Sequence, residues 1–259
     1  MRKTILPTIE DEHIRYLAFE KKRLDDRKPD EYRALEYEVN PIGAAEGSAR
    51  VKLGKTDLLV GVKLNAGTPY PDKPDEGVLM TGCELKQMAH PSFEGGPPSQ
   101  EAVEIARVAD RGIRESNMID TKDLCITPGE EVWMLFIDIQ VIDFDGNVID
   151  AATLGALLAL HNATVPAGRF GKGEDHKLKV NGWPVAVTLV KVNNQLLFDP
   201  TAMEESAAEA RLTVSTDENN DIRAVQKGLS GAFTYSEVGE AVDTAARLSQ
   251  ELRKKVMGE

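Results

Sequence analysis

Asp199-Pro200-Thr201-Ala202-Met203-Glu204-Glu205-Ser206-Ala207-Ala208-Glu209-Ala210-Arg211-Leu212-Thr213-Val214 joins two runs that read as strands, 195–198 and 211–216. Its carboxylates are Asp199, Glu204, Glu205 and Glu209, and its single cation, Arg211, follows Glu205 by six residues. Further strands are predicted near 185–191 and 222–227, with Asn219-Asn220-Asp221 as a turn. A helix from about 235 to 256 closes this part of the chain. Val238, Ala241, Val242, Ala245, Leu248, Leu252 and Val256 make one apolar stripe along it, and Ser236 reads as its N-cap.

Toward the N-terminus, Ile9, Ile14, Leu17 and Phe19 among charges predict a helix over 8–21, and a charged link covers 21–30. Short β-rich runs occupy 37–64, with Gly54-Lys55-Thr56 as a turn between 49–53 and 58–64. Pro/Gly loops are expected at 66–77 and 91–99, followed by an amphipathic helix over 99–116. Then come 124–127, the apolar run 132–144, an Asp145-Gly146 turn and an apolar helix over 150–162. Strands and helices alternate in two blocks, roughly 35–165 and 185–257, which places the chain in the α+β class with mixed sheets.

Composition excludes several classes. At 259 residues, 41% hydrophobic and 29% charged, the chain is built like an ordinary globular protein. No apolar run reaches the roughly 18 residues that span a bilayer, and Met1–Pro7 lacks the apolar core of a signal peptide. Cys83 and Cys125 stand apart without metal-ligand spacing, so a reduced, cytoplasmic setting is expected, with no cofactor and no metal. The net charge of −12 is opposite to the basic excess of proteins that bind nucleic acid unaided, so RNA contact requires a local basic patch or partners. The balance otherwise reads as a solubility feature.

One such patch is visible. On the 99–116 helix Arg107, Arg111 and Arg114 fall within a sector of about 60°, opposite Ala102, Ile105, Ala106, Ala109 and Ile113. A guanidinium donates two parallel hydrogen bonds to phosphate, so a row of them can follow an RNA backbone without reading sequence. The plainer reading is surface pairing, Asp110 with Arg114 and Glu104 with Arg107. His13, His90, His161 and His176 are scattered, Trp183 at a strand start reads as core, and Gly171-Lys172-Gly173 reads as a turn.

Four segments in order resemble the RNase PH family of phosphorolytic exoribonucleases. Arg23-Leu24-Asp25-Asp26-Arg27 is similar to R-x-D-G-R, with Asp26 in the glycine position. Gly47-Ser48-Ala49-Arg50-Val51-Lys52-Leu53-Gly54-Lys55-Thr56 is similar to G-S-A-x-V-x-x-G-x-T, and the helix Glu104–Arg114 to E-I-x-R-x-x-D/G-R-x-L/I-R. The fourth is 199–212, similar to D-x-x-x-x-E-D-S-x-x-E-x-D-hydrophobic. The wording of the third looks most like the non-catalytic ring subunit of the archaeal exosome.

The resemblance implies an RNase PH-like fold: an N-terminal helix and link (1–30), a ribosomal protein S5 domain 2-like unit (31–166) and a smaller C-terminal α/β unit (185–257). It implies that Arg107, Arg111 and Arg114 hold RNA. It also implies that the chemistry is lost, because Glu205 and Arg211 replace the two aspartates that bind metal or act as acid and base. In the phosphate turn Asp145–Asp150, Val148 takes the place of an arginine, while Asp150 is expected to cap the following helix. The implied partners are a catalytic RNase PH-like paralogue in a hexameric ring of three heterodimers, S1/KH-type RNA-binding cap proteins and single-stranded RNA, with no membrane. Two alternatives stay open: an active phosphate-dependent exoribonuclease using Glu204, Glu205 and Glu209, and a ring component without RNA contact.

Overall fold

The computed structural model describes residues 5–258. The chain begins with α1 (Ile5–Phe19), and the first sheet takes β1 (Leu35–Val39), β2 (Gly47–Leu53), β3 (Thr56–Gly67) and β4 (Val78–Leu85). Then follow α2 (Gln100–Glu115), β5 (Cys125–Thr127), β6 (Glu131–Asp143) and α3 (Val148–Asn162). The sheet order is β1-β2-β3-β6-β4 with β5 on β6, antiparallel except that β4 runs parallel to β6. After the short pair β7 (Thr164–Val165) and β8 (His176–Lys177), a second sheet forms from β9 (Val185–Val192), β10 (Gln195–Phe198), β11 (Ala210–Thr216) and β12 (Ile222–Gly228). Its order, β10-β9-β11-β12, is antiparallel throughout; α4 (Ala202–Ala207) lies between β10 and β11, and α5 (Tyr235–Met257) ends the chain.

The apolar α3 is the axis of the molecule. It packs on β2 and β3 of one sheet and on β9 of the other, and every residue from Val148 to Leu160 is buried. A helix covered on all sides has no use for a polar face, which explains the unbroken Ala/Leu run from Ala156 to Leu160. The approach to β2 is close: a Cβ on Gly47 would stand 2.3 Å from the Ala159 carbonyl oxygen. β9 is buried along its whole length because α5 covers one face, where Lys191 pairs with Glu237, and α3, α1 and α4 share the other, where Thr188 meets Asp150 of α3. On that second side Ile14 and Ala18 of α1 join Val190, Val192, Leu197 and Ala207 in a small core of their own.

Several expectations change. Strand β4 is an addition, since Val78–Leu85 emerges directly from a Pro/Gly loop, and β3 extends to Gly67 into that loop. Of the apolar residues that predict α1, Ile9 and Phe19 are exposed; the buried stripe is Ile14 and Ala18, flanked by Leu17. The N-cap of α5 is Thr234, not Ser236, because Glu237 completes a capping box with Thr234. The α5 stripe itself packs as expected at Ala241, Ala245, Leu248, Leu252 and Val256.

Candidate functional site

The segment 199–205 is where the N-terminal link, the start of α3 and the second sheet meet. Thr201 caps α4: its hydroxyl accepts from the Glu204 N–H while the Glu204 carboxylate accepts from the Thr201 N–H, so the Thr-x-x-Glu spacing sets the helix start. The same Glu204 receives the Arg23 guanidinium, Nε at 2.8 Å and Nη2 at 2.6 Å, with both side chains buried. Arg23 also donates to the carbonyls of Phe198 and Asp199. Asp199 is fully buried. It accepts from the Arg33 N–H at 2.8 Å, Arg33 Nε at 3.0 Å and Nη2 at 2.7 Å, Arg27 Nη1 at 3.0 Å and Asn147 Nδ2 at 2.8 Å. Arg23 and Arg27 of the first sequence segment thus fasten the link onto the fourth. Asp26, in the glycine position between them, has φ 58°, a conformation that Asp tolerates better than most residues.

The Glu205 carboxylate accepts the N–H of Asn147, the N-cap of α3, at 3.0 Å. Burial pushes this carboxyl up to about 7; the Asn147 N–H and the charges of Arg211 and Arg33 pull it down, and Glu101 adds to the rise. Arg211 turns to α2, where its Nη2 meets Glu104 Oε1 at 2.6 Å. Beside it, burial also raises Glu101. Arg211 is therefore a cation that is already paired.

Asp150 does not cap α3. Asn147 holds the N-cap position in the left-handed region, φ 50°, with no side-chain cap, and Asp150 points inward with no exposure. Its Oδ2 accepts from Tyr32 Oη at 2.6 Å, Asn147 Nδ2 at 2.8 Å and the Thr188 N–H at 2.9 Å, and its Oδ1 accepts from Thr188 Oγ1 at 2.7 Å. Burial outweighs these bonds and pushes its carboxyl up to about 6. Asp150 is a strut between the link, α3 and β9. Val148 is a core residue and brings no charge to the turn.

The three glutamates of the alternative reading do not converge. Glu204 is held by Arg23 and Glu205 by the α3 backbone, while Glu209 faces Arg15 at 3.5 Å and accepts the Asn193 N–H at 3.2 Å. Among the described residues, no group of three His, Cys, Asp or Glu is placed to hold a metal ion.

On α2, Ala102, Ile105, Ala106, Ala109 and Ile113 are buried and the arginines lie outside. Arg114 pairs with Asp110 at 2.5 Å and donates to the Leu79 carbonyl; Arg111 donates to Gln226 of β12 at 2.7 Å. Arg107 is exposed and has no hydrogen bond or ion pair among the described residues. The expected Glu104–Arg107 pair does not form, because Glu104 is taken by Arg211. Trp183 is half-buried and stacks on His161, ring centroids 3.6 Å apart and 10° from parallel, and burial lowers the imidazole. His90 joins Phe93 and Phe144 in an aromatic cluster, while His13 and His176 lie at the surface.

Sequence reasoning missed Arg33, Tyr32, Asn147, Glu101 and Thr188. Nothing local marks them; each gains its role from partners distant in sequence, such as Asp199 for Arg33.

Comparison with known proteins agrees with this architecture. The model of the 3' exoribonuclease family, domain 1, matches residues 31–166, and that of domain 2 matches residues 182–247. The exosome complex component Rrp42 of Thermoplasma acidophilum is 50% identical over 234 residues, 90% of each chain. That of Methanocella arvoryzae is 45% identical over 258 residues, covering 100% of this chain and 99% of its relative. A chain of the Archaeoglobus fulgidus exosome with RNA bound to the active site superposes with a TM-score of 0.95 at 43% identity, covering 97% of this chain and 99% of the other. With both domain models matched in order and relatives this similar over nearly full length, the chain belongs to the RNase PH family of 3' exoribonucleases.

Proposed function

We propose that this chain is a non-catalytic ring subunit of an archaeal exosome, working in the cytoplasm in 3'-to-5' phosphorolytic RNA degradation. It alternates with a catalytic RNase PH-like paralogue in a hexameric ring of three heterodimers, beneath S1/KH-type RNA-binding cap proteins. It completes the ring, shapes the paralogue's active site and offers arginines to single-stranded RNA. One observation carries the non-catalytic reading: Arg211 is paired with Glu104, and Glu205 is engaged by the α3 backbone. Positions 205 and 211 therefore present a glutamate and a paired arginine, not a carboxylate pair that could position a metal or move a proton. Removing one preorganised electrostatic contact commonly costs about 10² to 10³ in rate, and here two positions are changed, Arg211 with reversed sign and Val148 without charge.

The test is release of nucleoside diphosphate from single-stranded RNA, with phosphate as the variable and the catalytic paralogue present or absent. The purified chain is expected to give none, and the mixed complex to give phosphate-dependent product. Phosphate-dependent degradation by the chain alone would restore the reading through Glu204, Glu205 and Glu209.

RNA contact is carried by Arg107, Arg111 and Arg114, foremost by Arg107, whose guanidinium has no internal partner among the described residues. Charge reversal of all three in the complex is expected to weaken RNA binding by about tenfold or more. It should also flatten the salt dependence, by a slope of about 0.7 for each phosphate of a single strand that is no longer neutralised. Affinity unchanged across a salt series would leave a purely structural ring component.

A further inference from the structure

The arginines of α2 do not carry equal free charge. Arg114 is paired with the Asp110 carboxylate. Arg111 donates to a neutral amide, Gln226 Oε1 at 2.7 Å, which fixes its direction and leaves its charge intact. Arg107 is exposed and has no partner among the described residues. Yet a carboxylate stands within its reach: Glu104 is three positions away, a spacing at which helical ion pairs form. No other cation of α2 lies three or four positions from Glu104. What keeps the two apart is Arg211, whose Nη2 meets Glu104 Oε1 at 2.6 Å. The facing strand makes room for this contact. Gly228 of β12 lies across from Arg211, and a Cβ on it would stand 3.1 Å from Nη2. The Arg211 side chain is 16% exposed and that of Glu104 35%, so their pair is shielded from water better than a pair on the open helix surface.

We propose that Arg211 is a positioning residue for RNA: by holding Glu104 it keeps Arg107 unpaired and available to the phosphates of a single strand. Arg211 touches no RNA in this role and acts only through Glu104. Without it, Glu104 turns to Arg107, and a phosphate has to open that pair before it meets the guanidinium. The proposal rests on the RNA contact through Arg107 stated above, but the two fail separately. Charge reversal of the three α2 arginines tests the contact, and the variants below test what keeps Arg107 free.

The experiment measures the affinity of a single-stranded RNA oligonucleotide for the complex of this chain with its catalytic paralogue. It is done at about 0.1 M salt, where exposed charges more than about 10 Å apart are largely screened. Arg211→Met removes the charge and keeps an apolar stem against Gly228. It is expected to weaken binding about twofold, the share that an i,i+3 ion pair takes from the contact. Adding Glu104→Gln to Arg211→Met is expected to restore binding. Adding Glu115→Gln instead restores the same net charge at the end of α2, about 12 Å along the helix from Arg107, and is expected not to. In an Arg107→Met background, Arg211→Met is expected to have no further effect. Arg211→Thr takes the place of Arg211→Met if the methionine variant does not assemble. Unchanged binding on loss of Arg211 overturns the proposal, as does a loss that Glu104→Gln does not recover. Equal recovery from Glu115→Gln also overturns it, since net charge alone would then be the cause.

Discussion

Asp199→Ala is expected to destabilise the protein by about 3–5 kcal/mol, the range found when one partner of a buried ion pair is removed. Its carboxylate has no exposure and takes five donors, four of them from Arg27 and Arg33 and one from Asn147. Without it, Arg33 stays buried with only the more distant Asp145 carboxylate, 3.5 Å away, and backbone carbonyls around it. The Asn147 amide loses one of its two acceptors. For a chain of this length the loss corresponds to a fall in Tm of roughly 10 °C. Arg247→Ala is the control. Its pairs with Asp30 and Glu251 are about half exposed, and such pairs contribute about 0–1 kcal/mol. Urea denaturation of both variants measures the difference. An Asp199→Ala cost no larger than that of Arg247→Ala would mean that the network does not hold the segment.

The network also shows where sequence reading stops. Arg23, Arg27, Asp199 and Glu204 are each visible inside two separate segments, but their pairing spans 172 to 181 residues. No local pattern encodes a contact of that separation. The same limit explains Arg211. As a residue it reads as the loss of an acid; only the packing of α2 beside β11 and β12 gives it Glu104 as a partner and draws Glu104 away from Arg107. The face of α2, by contrast, is legible residue by residue, because helical periodicity is a local property.

Boundaries fail where two local signals compete. Asp150, three residues from the Asn147 N-cap, looks like a cap by type, yet the chain enters α3 through a left-handed Asn and turns the aspartate inward to Tyr32 and Thr188. For residues 78–85 the preceding Pro/Gly loop masks the strand, and a strand pairing parallel with β6 requires a partner 56 residues away that no hairpin signal announces. On α1 the apolar residues Ile9, Ile14, Leu17 and Phe19 predict the helix, but their spacing does not say which of them meet the second sheet.

Gly146→Ala is expected to cost at least about 3 kcal/mol, and the reason lies on both sides of the residue. Its φ of +79° is in the region that costs a residue with a Cβ about 1–2 kcal/mol. The added methyl would stand 2.5 Å from Ala202 N and from the Thr201 carbonyl carbon, and 2.7 Å from Pro200 O. These are backbone atoms of the segment that carries Asp199 and Glu204, so relief requires moving the network. Gly146 cannot rotate away easily, since its own carbonyl accepts from Thr56 Oγ1 at 2.7 Å. Gly129→Ala separates the two contributions: its φ is +78° but nothing lies within 4 Å of the added Cβ, so it carries the backbone strain alone. The difference between the two variants in urea denaturation measures the close approach of the α3 turn to the 200–202 backbone. Equal costs would show that the approach is relaxed. A larger cost at Gly146 should also be non-additive with Asp199→Ala, because a segment already released from its arginines can move away from the new methyl group.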